Sequence, residues 1–359
     1  MLQKCNNFAK WLTCTRNRPC NLRSFPVCRA HMVKQALIHV SGKQKVNKYS
    51  SGTKFVQTLL EEQKVSKLHS LSFDHQYHRL SFEGFPIHLK EYSKGLTEVP
   101  LVFIGGAFQN ITQVEKLSNA IAQKSWVITV DTPGNGDTGI LPHTYGFEFI
   151  CRAIHSALKS IGVDRINLMG CSYGSIIAMR YAQKYLGIDK LILASAMAEL
   201  PRELEYDFNL LLFQLEWDRI EDFAEGFTNL MTNPDLRQTN RIARLTADKL
   251  KYALLNATTG IKEQFKHNTL RILRDGRTDL SLMPDVEATI FTGVHDHFVP
   301  VEANMAVANS FKNGRFIAVP DADHMIHVEK FKRMIQIIHE ALDCGEEHRE
   351  EGLEMDKAA

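Results

Sequence analysis

Three segments of the sequence carry residues whose types and spacing suit acyl transfer. Gly170-Cys171-Ser172-Tyr173-Gly174 has the pattern G-x-S-x-G, in which two glycines permit a tight turn that presents a serine at its apex. Serine is a poor nucleophile at neutral pH, so it needs a general base and an acid that orients the base. The chain order serine, acid, histidine predicts Ser172 as nucleophile, Asp296 as orienting acid and His324 as base.

Other residues compete for the roles of base and acid. His327 lies three residues beyond His324 and would sit deeper in the helix that follows. Asp321 and Asp323 are rival acids, although their closeness to His324 along one loop makes it harder for them to orient its ring. Asp296 could instead cap the helix that begins a few residues later.

Acyl transfer also needs hydrogen-bond donors for the oxyanion that develops on the substrate. One predicted donor is the backbone N–H of Tyr173, directly after the nucleophile. The other is the N–H of Ala107, with Phe108 as the alternative, because Gly105-Gly106 lets the backbone approach closely there. The competing interpretation is a plain glycine turn that binds nothing.

Short apolar runs predict the strands that must position these groups. A β-hairpin is predicted over residues 78–92, with a turn at Gly84. Buried strands are predicted at residues 99–104, 126–130, 166–169, 191–194, 287–291 and 315–319. Helical patterns at residues 147–161 and 175–185 alternate with them. This alternation predicts an α/β fold, a mostly parallel central sheet with helices on both faces.

The alternation is interrupted after residue 199. Residues 200–283 carry long helical patterns without a buried strand, which predicts an inserted helical cap over the carboxyl edge of the sheet, where ligands bind in open α/β sheets. The alternative is extra helical packing with no role in the chemistry. The predicted divisions are a basic extension 1–76, core segments 77–199 and 284–344 around the cap, and an acidic tail 345–359.

The cap sequence suggests a pocket for an acyl chain. Residues 208–215 are more apolar than one helix face requires, and further aromatic residues follow at helical spacing. The predicted pocket residues are Phe108, Leu211, Phe213 and Phe227. Packing of the cap against itself and the sheet is the competing interpretation, because apolar helical stripes are usually core.

Charge and cysteine usage limit the setting in which the chain works. Residues 1–60 contain eleven Lys and Arg and no Asp or Glu. Four interpretations of this basic segment remain open: a dispensable extension, an organelle-targeting segment, a binding arm, or a chain whose true start is Met32. Seven cysteines, an odd number without a secretory signal, favour free thiols and a cytoplasmic location, with an organelle as the alternative. No nucleic-acid partner and no transmembrane segment are predicted.

Two patterns could suggest a cofactor or a metal. Gly134-Asn135-Gly136-Asp137-Thr138-Gly139 matches G-x-G-x-x-G, but Pro133 precedes it and no helix pattern follows to hold a pyrophosphate. His295-Asp296-His297, with His324 and His327, fits no complete zinc pattern. We therefore predict no cofactor and no metal. A non-catalytic binding protein on the same fold is the alternative from another functional class.

Together these segments resemble the α/β-hydrolase family over residues 78–342. Asp131-Thr132-Pro133-Gly134-Asn135-Gly136-Asp137-Thr138 resembles that family's D-x-P-G-x-G-x-S/T turn. The chain has Gly105-Gly106 where the family usually has His-Gly. A serine rather than an aspartate at position 172 argues against epoxide hydrolases and haloalkane dehalogenases. The resemblance implies an esterase, thioesterase or acyltransferase that works through an acyl-enzyme.

A narrower resemblance, carried mainly by the cap, is to the rhamnolipid-pathway hydroxyalkanoyloxy-alkanoate synthases. The matching segments are Gly106-Ala107-Phe108, Glu216-Trp217-Asp218, Ala257-Thr258-Thr259-Gly260, Glu263-Gln264 and Arg274-Asp275-Gly276. This resemblance implies a medium or long acyl chain delivered as a thioester, with acyl carrier protein as a partner. A simple ester is the second substrate class. Water or a second hydroxyacyl chain could accept the acyl group.

Overall fold

The computed structural model describes residues 75–343 of the 359-residue chain. The predictions for the basic N-terminal segment and for the acidic tail concern sequence outside these residues. The predicted boundary of the extension at residue 76 differs slightly from the structure, because the first strand already begins at His75.

Eight strands form one sheet in the described part of the chain. They are β1 His75–Phe82, β2 Phe85–Tyr92, β3 Leu101–Ile104, β4 Val127–Asp131, β5 Ile166–Cys171, β6 Ile188–Ala194, β7 Glu287–Gly293 and β8 Asn313–Val319. The order across the sheet is β1-β2-β4-β3-β5-β6-β7-β8. β1 pairs antiparallel with β2, and β2 antiparallel with β4, whereas every other neighbouring pair is parallel.

Helices connect the strands and fill the segment between β6 and β7. Outside that segment they are α1 Glu115–Ile121, α2 Phe147–Ser160, α3 Tyr173–Lys184, α9 Val301–Asn309, α10 Ile326–Glu329 and α11 Phe331–Asp343. Between β6 and β7 lie α4 Arg202–Glu216, α5 Ile220–Met231, α6 Pro234–Thr239, α7 Arg241–Leu255 and α8 Thr259–Asp275. No helix among residues 75–343 is long and apolar enough to cross a membrane.

Alternate residues of the central strands enter two separate apolar cores. In β3, Leu101 and Phe103 belong to a core that also contains residues of α1 and α11, whereas Val102 and Ile104 belong to a core that also contains residues of α2, α3 and α9. All four side chains are fully buried. Because both faces of such a strand are covered by helices, neither face needs polar residues, and its sequence is a continuous apolar run. The predicted mostly parallel sheet with helices on both faces is confirmed.

The last helical segment of the described chain is divided into two helices. α10 ends at Glu329 and α11 begins at Phe331, because Lys330 between them has φ −126° and ψ 44°, outside the helical region. The Glu329 side chain accepts a hydrogen bond from the Asp323 backbone N–H at 3.0 Å. The short helix therefore stays tied to the loop that carries His324.

Candidate active site

Ser172 stands on a strained turn between β5 and α3. Its backbone has φ 48° and ψ −114°, a conformation that L-residues rarely adopt. The turn closes only because glycines lie two residues before and two residues after Ser172. A Cβ at Gly170 would lie 2.4 Å from the carbonyl oxygen of Gly174, and one at Gly174 would lie 2.4 Å from that of Ile104. The two glycines thus allow the serine to project from the carboxyl end of the sheet.

The structure brings Ser172, His324 and Asp296 into one hydrogen-bonded chain. The Oγ of Ser172 lies 2.9 Å from Nε2 of His324, and Nδ1 of His324 lies 2.8 Å from Oδ2 of Asp296. Asp296 follows β7 and His324 follows β8, so both reach the carboxyl edge of the sheet where Ser172 lies. Ser172 and His324 are 152 residues apart in the sequence, and Asp296 and His324 are 28 residues apart.

Asp296 is a buried carboxylate whose charge is well supported. Its Oδ1 accepts the backbone N–H groups of Phe298 at 3.1 Å and Val299 at 2.8 Å, and its Oδ2 accepts the Thr292 hydroxyl at 2.9 Å. Burial acts to raise the pKa of Asp296, but the charge and N–H of His324 and these other donors outweigh it, so the pKa lies below its usual value. Asp296 is therefore ionised at neutral pH.

The ionised Asp296 fixes the proton arrangement of His324. Burial acts to lower the pKa of His324, but the facing carboxylate outweighs it and the pKa lies above its usual value. Because a carboxylate only accepts, Nδ1 of His324 carries a proton and donates to it. Nε2 of the neutral ring is then free to accept the hydroxyl proton of Ser172, as a general base must.

The rival residues occupy different positions. His327 faces the Gln109 side chain, with Nε2 to Nε2 at 3.2 Å, and burial together with the nearby His324 lowers the pKa of His327 to about 4. Asp321 is exposed and lies 3.4 Å from Nζ of Lys330. Asp323 is buried and accepts two backbone N–H groups, at 2.8 and 2.9 Å. Of the three acids, Asp296 is the one that contacts Nδ1 of His324.

Both residues predicted to supply oxyanion donors lie close to Ser172. Tyr173 is the first residue of α3, so its N–H has no acceptor within its own helix. Ala107 follows Gly106, where an added Cβ would lie 3.5 Å from Cβ of Ser172. The N–H of Gly106 itself is occupied, because it donates to Oε1 of Gln109 at 2.7 Å. Phe108 has φ 61°, a left-handed conformation.

A cavity of about 540 Å³ opens onto Ser172 and His324. Phe108 and Phe227, two of the four predicted pocket residues, line it, and their rings meet edge to face at 5.3 Å. Most of its other walls are apolar and come from the cap, from the carboxyl end of the sheet and from helices α10 and α11: Phe103, Met231, Leu250, Leu254, Ala257, Ile261, Ile326, Val328 and Met334. The cap thus covers Ser172 with an apolar surface.

Leu211 and Phe213, the other two predicted pocket residues, do not line this cavity. Leu211 is buried between α4 and α5, where its Cδ2 would lie 3.3 Å from a Cβ at Gly226. Phe213 is 47% exposed, and its ring lies 5.7 Å from that of Trp217. Helical spacing predicts which residues share a face. Residues 208–215 are apolar nearly all round, so their spacing could not show which face is turned to Ser172.

Two side chains near Ser172 have unusual surroundings: Cys171 precedes it in the sequence, and Arg271 contacts Tyr173, which follows it. Cys171 lines the cavity next to Ser172, and burial raises the pKa of its thiol to about 12, so it is not a thiolate. Arg271 of α8 is fully buried and donates to the Tyr173 hydroxyl at 2.9 Å and to the carbonyls of Tyr145 and Leu141 at 2.7 and 2.8 Å. Nothing in the helical pattern of the sequence marks Arg271 as buried, so its position could not be predicted.

Residues 75–343 contain no group of three or more His, Cys, Asp or Glu side chains that could hold a metal ion. His297, one of the residues considered for such a site, instead lies 3.0 Å from the carbonyl oxygen of Asn229 through its Nε2. His295 accepts the Asn233 side chain at its carbonyl oxygen, at 3.0 Å. These contacts connect the loop after β7 to the cap.

Residues 99–331 match the α/β hydrolase fold family. An AB hydrolase superfamily protein of Bacillus subtilis, YisY, is 21% identical over 253 residues, which cover 67% of this chain and 90% of that protein. A poly(3-hydroxyalkanoate) depolymerase of Ectopseudomonas oleovorans is 28% identical over 100 residues, 28% of this chain and 35% of that protein. An α/β hydrolase enzyme from a Medee basin deep-sea metagenome library superposes with a TM-score of 0.68 at 14% identity, covering 76% of this chain and 100% of that one.

Proposed function

Because the chain belongs to the α/β-hydrolase family, we propose that it is a serine hydrolase or acyltransferase acting on acyl esters or thioesters. The observation that carries this proposal is the hydrogen-bonded chain from Ser172 through His324 to Asp296, with bonds of 2.9 and 2.8 Å. These are the contacts that a serine nucleophile, its base and its orienting acid require.

In the proposed first half-reaction, Oγ of Ser172 attacks the carbonyl carbon of the substrate while its proton passes to Nε2 of His324. Asp296 stabilises the imidazolium that forms. The N–H groups of Ala107 and Tyr173 donate to the oxyanion of the tetrahedral intermediate. When that intermediate collapses, the C–O or C–S bond to the leaving group breaks, and His324 returns the proton to the departing oxygen or sulfur.

In the second half-reaction an acceptor hydroxyl attacks the acyl-enzyme. His324 takes the proton of the acceptor, a second tetrahedral intermediate forms in the same oxyanion site, and the proton returns to Oγ of Ser172 as the acyl group leaves. Water as acceptor gives a free acid and completes a hydrolysis. The hydroxyl of a hydroxyacyl chain as acceptor gives a longer ester and completes a synthase reaction.

The apolar cavity supports a medium or long acyl chain as the group transferred. Each methylene of the substrate that is buried contributes up to about 0.8 kcal/mol to binding. An apolar wall beside Ser172 therefore favours longer acyl chains. A thioester, such as an acyl carrier protein or coenzyme A conjugate, is the first substrate class that we propose, and a simple ester is the second. The depolymerase of Ectopseudomonas oleovorans acts, by its name, on a polymer of 3-hydroxyacyl units, which makes hydroxyacyl esters suitable test substrates.

A chain-length series of acyl and hydroxyacyl thioesters and esters tests this proposal, with products identified by mass. We expect kcat/KM to rise several-fold for each two added carbons until the cavity is full. A flat profile would reject the acyl pocket. Free acids as the only products would exclude the synthase reaction and leave the hydrolase proposal intact.

A further inference from the structure

Gln109 holds the loop that carries the proposed oxyanion donor Ala107. Its side-chain Oε1 accepts the backbone N–H of Gly106 at 2.7 Å, and its own backbone N–H donates to the Gly106 carbonyl oxygen at 3.2 Å. The side chain also packs over the preceding residue, since a Cβ at Gly105 would lie 3.1 Å from Cβ of Gln109. Gln109 therefore fixes the peptide groups on both sides of Gly106.

The bond to the Gly106 carbonyl determines where the Ala107 N–H points. That carbonyl and the Ala107 N–H belong to the same peptide group, and in a planar trans peptide they point in opposite directions. Residues 106–109 form a four-residue turn whose third residue, Phe108, has φ 61°, a value that glycine normally supplies in a type II turn. A turn with a bulky residue in this conformation needs contacts that hold it in place.

His327 holds the Gln109 amide in the orientation that the loop requires. Since Oε1 of Gln109 faces the Gly106 N–H, its Nε2 is the atom that lies 3.2 Å from Nε2 of His327, and an amide nitrogen only donates. His327 must therefore be an acceptor at Nε2 and carry its proton on Nδ1. Its pKa of about 4 keeps the ring neutral at physiological pH.

We propose that Gln109 and His327 are positioning residues that aim the Ala107 N–H at the oxyanion. This inference rests on the proposed serine-hydrolase function and assigns a role to His327 other than general base. The two residues are 218 positions apart in the sequence, and their contact joins the loop after β3 to the helix α10 that follows His324. The oxyanion donor and the general base are thereby held by adjoining elements.

Gln109→Leu tests the proposal, because it removes the side-chain hydrogen bonds to both Gly106 and His327. The measurements are kcat and KM for a p-nitrophenyl acyl ester and the Ki of an alkylboronic acid, which forms an anionic tetrahedral adduct with a catalytic serine. Gln123→Leu makes the same substitution at an exposed position outside the cavity and serves as the control. His327→Leu removes the acceptor for the Gln109 amide and leaves the Gly106 bond in place.

For Gln109→Leu we expect kcat to fall about 10- to 100-fold with KM changed less than about threefold, and the boronate Ki to rise in proportion to the loss of kcat/KM. For His327→Leu we expect kcat to fall roughly three- to tenfold. Gln123→Leu should have the kcat and boronate Ki of the wild type. If the Gln109 variant does not fold, the His327 variant carries the test.

Wild-type kcat and boronate affinity in both the Gln109 and His327 variants would overturn the inference and leave the proposed function standing. A loss of activity in His327→Leu as large as that in His324→Ala would overturn the positioning role and make His327 a base. A wild-type protein that neither hydrolyses the ester nor binds the boronate would overturn the proposed function, and this inference with it.

Discussion

Replacing Asp296 by asparagine changes one atom of the proposed triad and alters the proton arrangement of His324. Oδ1 of Asp296 accepts two backbone N–H groups, from Phe298 and Val299. An asparagine must therefore turn its carbonyl oxygen to that side. Its NH₂ group then takes the place of Oδ2, 2.8 Å from Nδ1 of His324. Two donors cannot share a hydrogen bond, so His324 is driven to the tautomer that carries its proton on Nε2.

The wrong tautomer removes the general base, because Nε2 of His324 can no longer accept the proton of Ser172. The same tautomer inversion in a serine protease triad reduces kcat about 10⁴-fold. A loss of that size corresponds to roughly 5.4 kcal/mol of transition-state stabilisation, at about 1.36 kcal/mol for each factor of ten. We expect a loss of this order for Asp296→Asn, with KM changed little.

The assay is steady-state turnover of a p-nitrophenyl acyl ester, with circular dichroism and thermal unfolding to show that the variant is folded. Asp321→Asn is the matched control, because Asp321 is exposed and does not contact His324, and it should retain wild-type activity. A folded Asp296→Asn protein that keeps more than about a tenth of the wild-type kcat would refute this reasoning about the tautomer.

Three further predictions concern the base, the cavity and the buried arginine. As the pH is lowered, kcat/KM should fall with a midpoint above about pH 6.5, because Asp296 raises the pKa of His324 and only the neutral ring accepts a proton. A midpoint below about pH 6 would contradict this. Phe227→Ala should enlarge the cavity and shift the preferred acyl chain to greater length, with kcat/KM rising up to about fourfold for each added methylene that the enlarged cavity holds. A chain-length profile identical to that of the wild type would count against the pocket. Arg271→Met should lower the free energy of unfolding in urea by about 3 kcal/mol, because it leaves buried carbonyl groups without donors; an unchanged midpoint and slope would show that the bonds contribute nothing.

The strands and the candidate triad could be predicted because their signals are local. β3, β4 and β7 are fully or almost fully buried runs, and burial on both faces leaves a continuous apolar stretch in the sequence. Ser172, Asp296 and His324 each lie shortly after a strand, so parallel topology alone brings them to one edge of the sheet. Their meeting requires no knowledge of the cap.

The contacts of Gln109, Arg271 and Phe213 could not be predicted, because they depend on how distant elements pack. Gln109 meets a residue 218 positions away, and Arg271 meets Tyr173 across 98 positions. Periodicity predicts neither partner. Phe213 belongs to a run that is apolar on nearly every side of its helix, and only the packing of α4 against α5 decides that it faces outward.

Labelling with a fluorophosphonate tests the central claim most directly, because this reagent forms a stable covalent bond with an activated serine. We predict one adduct per chain, located by peptide mass spectrometry on Ser172, and none on a folded Ser172→Ala protein. Labelling should slow as His324 becomes protonated at low pH, since the protonated ring cannot activate the serine. A folded wild-type chain that forms no adduct, or forms it on a residue other than Ser172, would contradict the account.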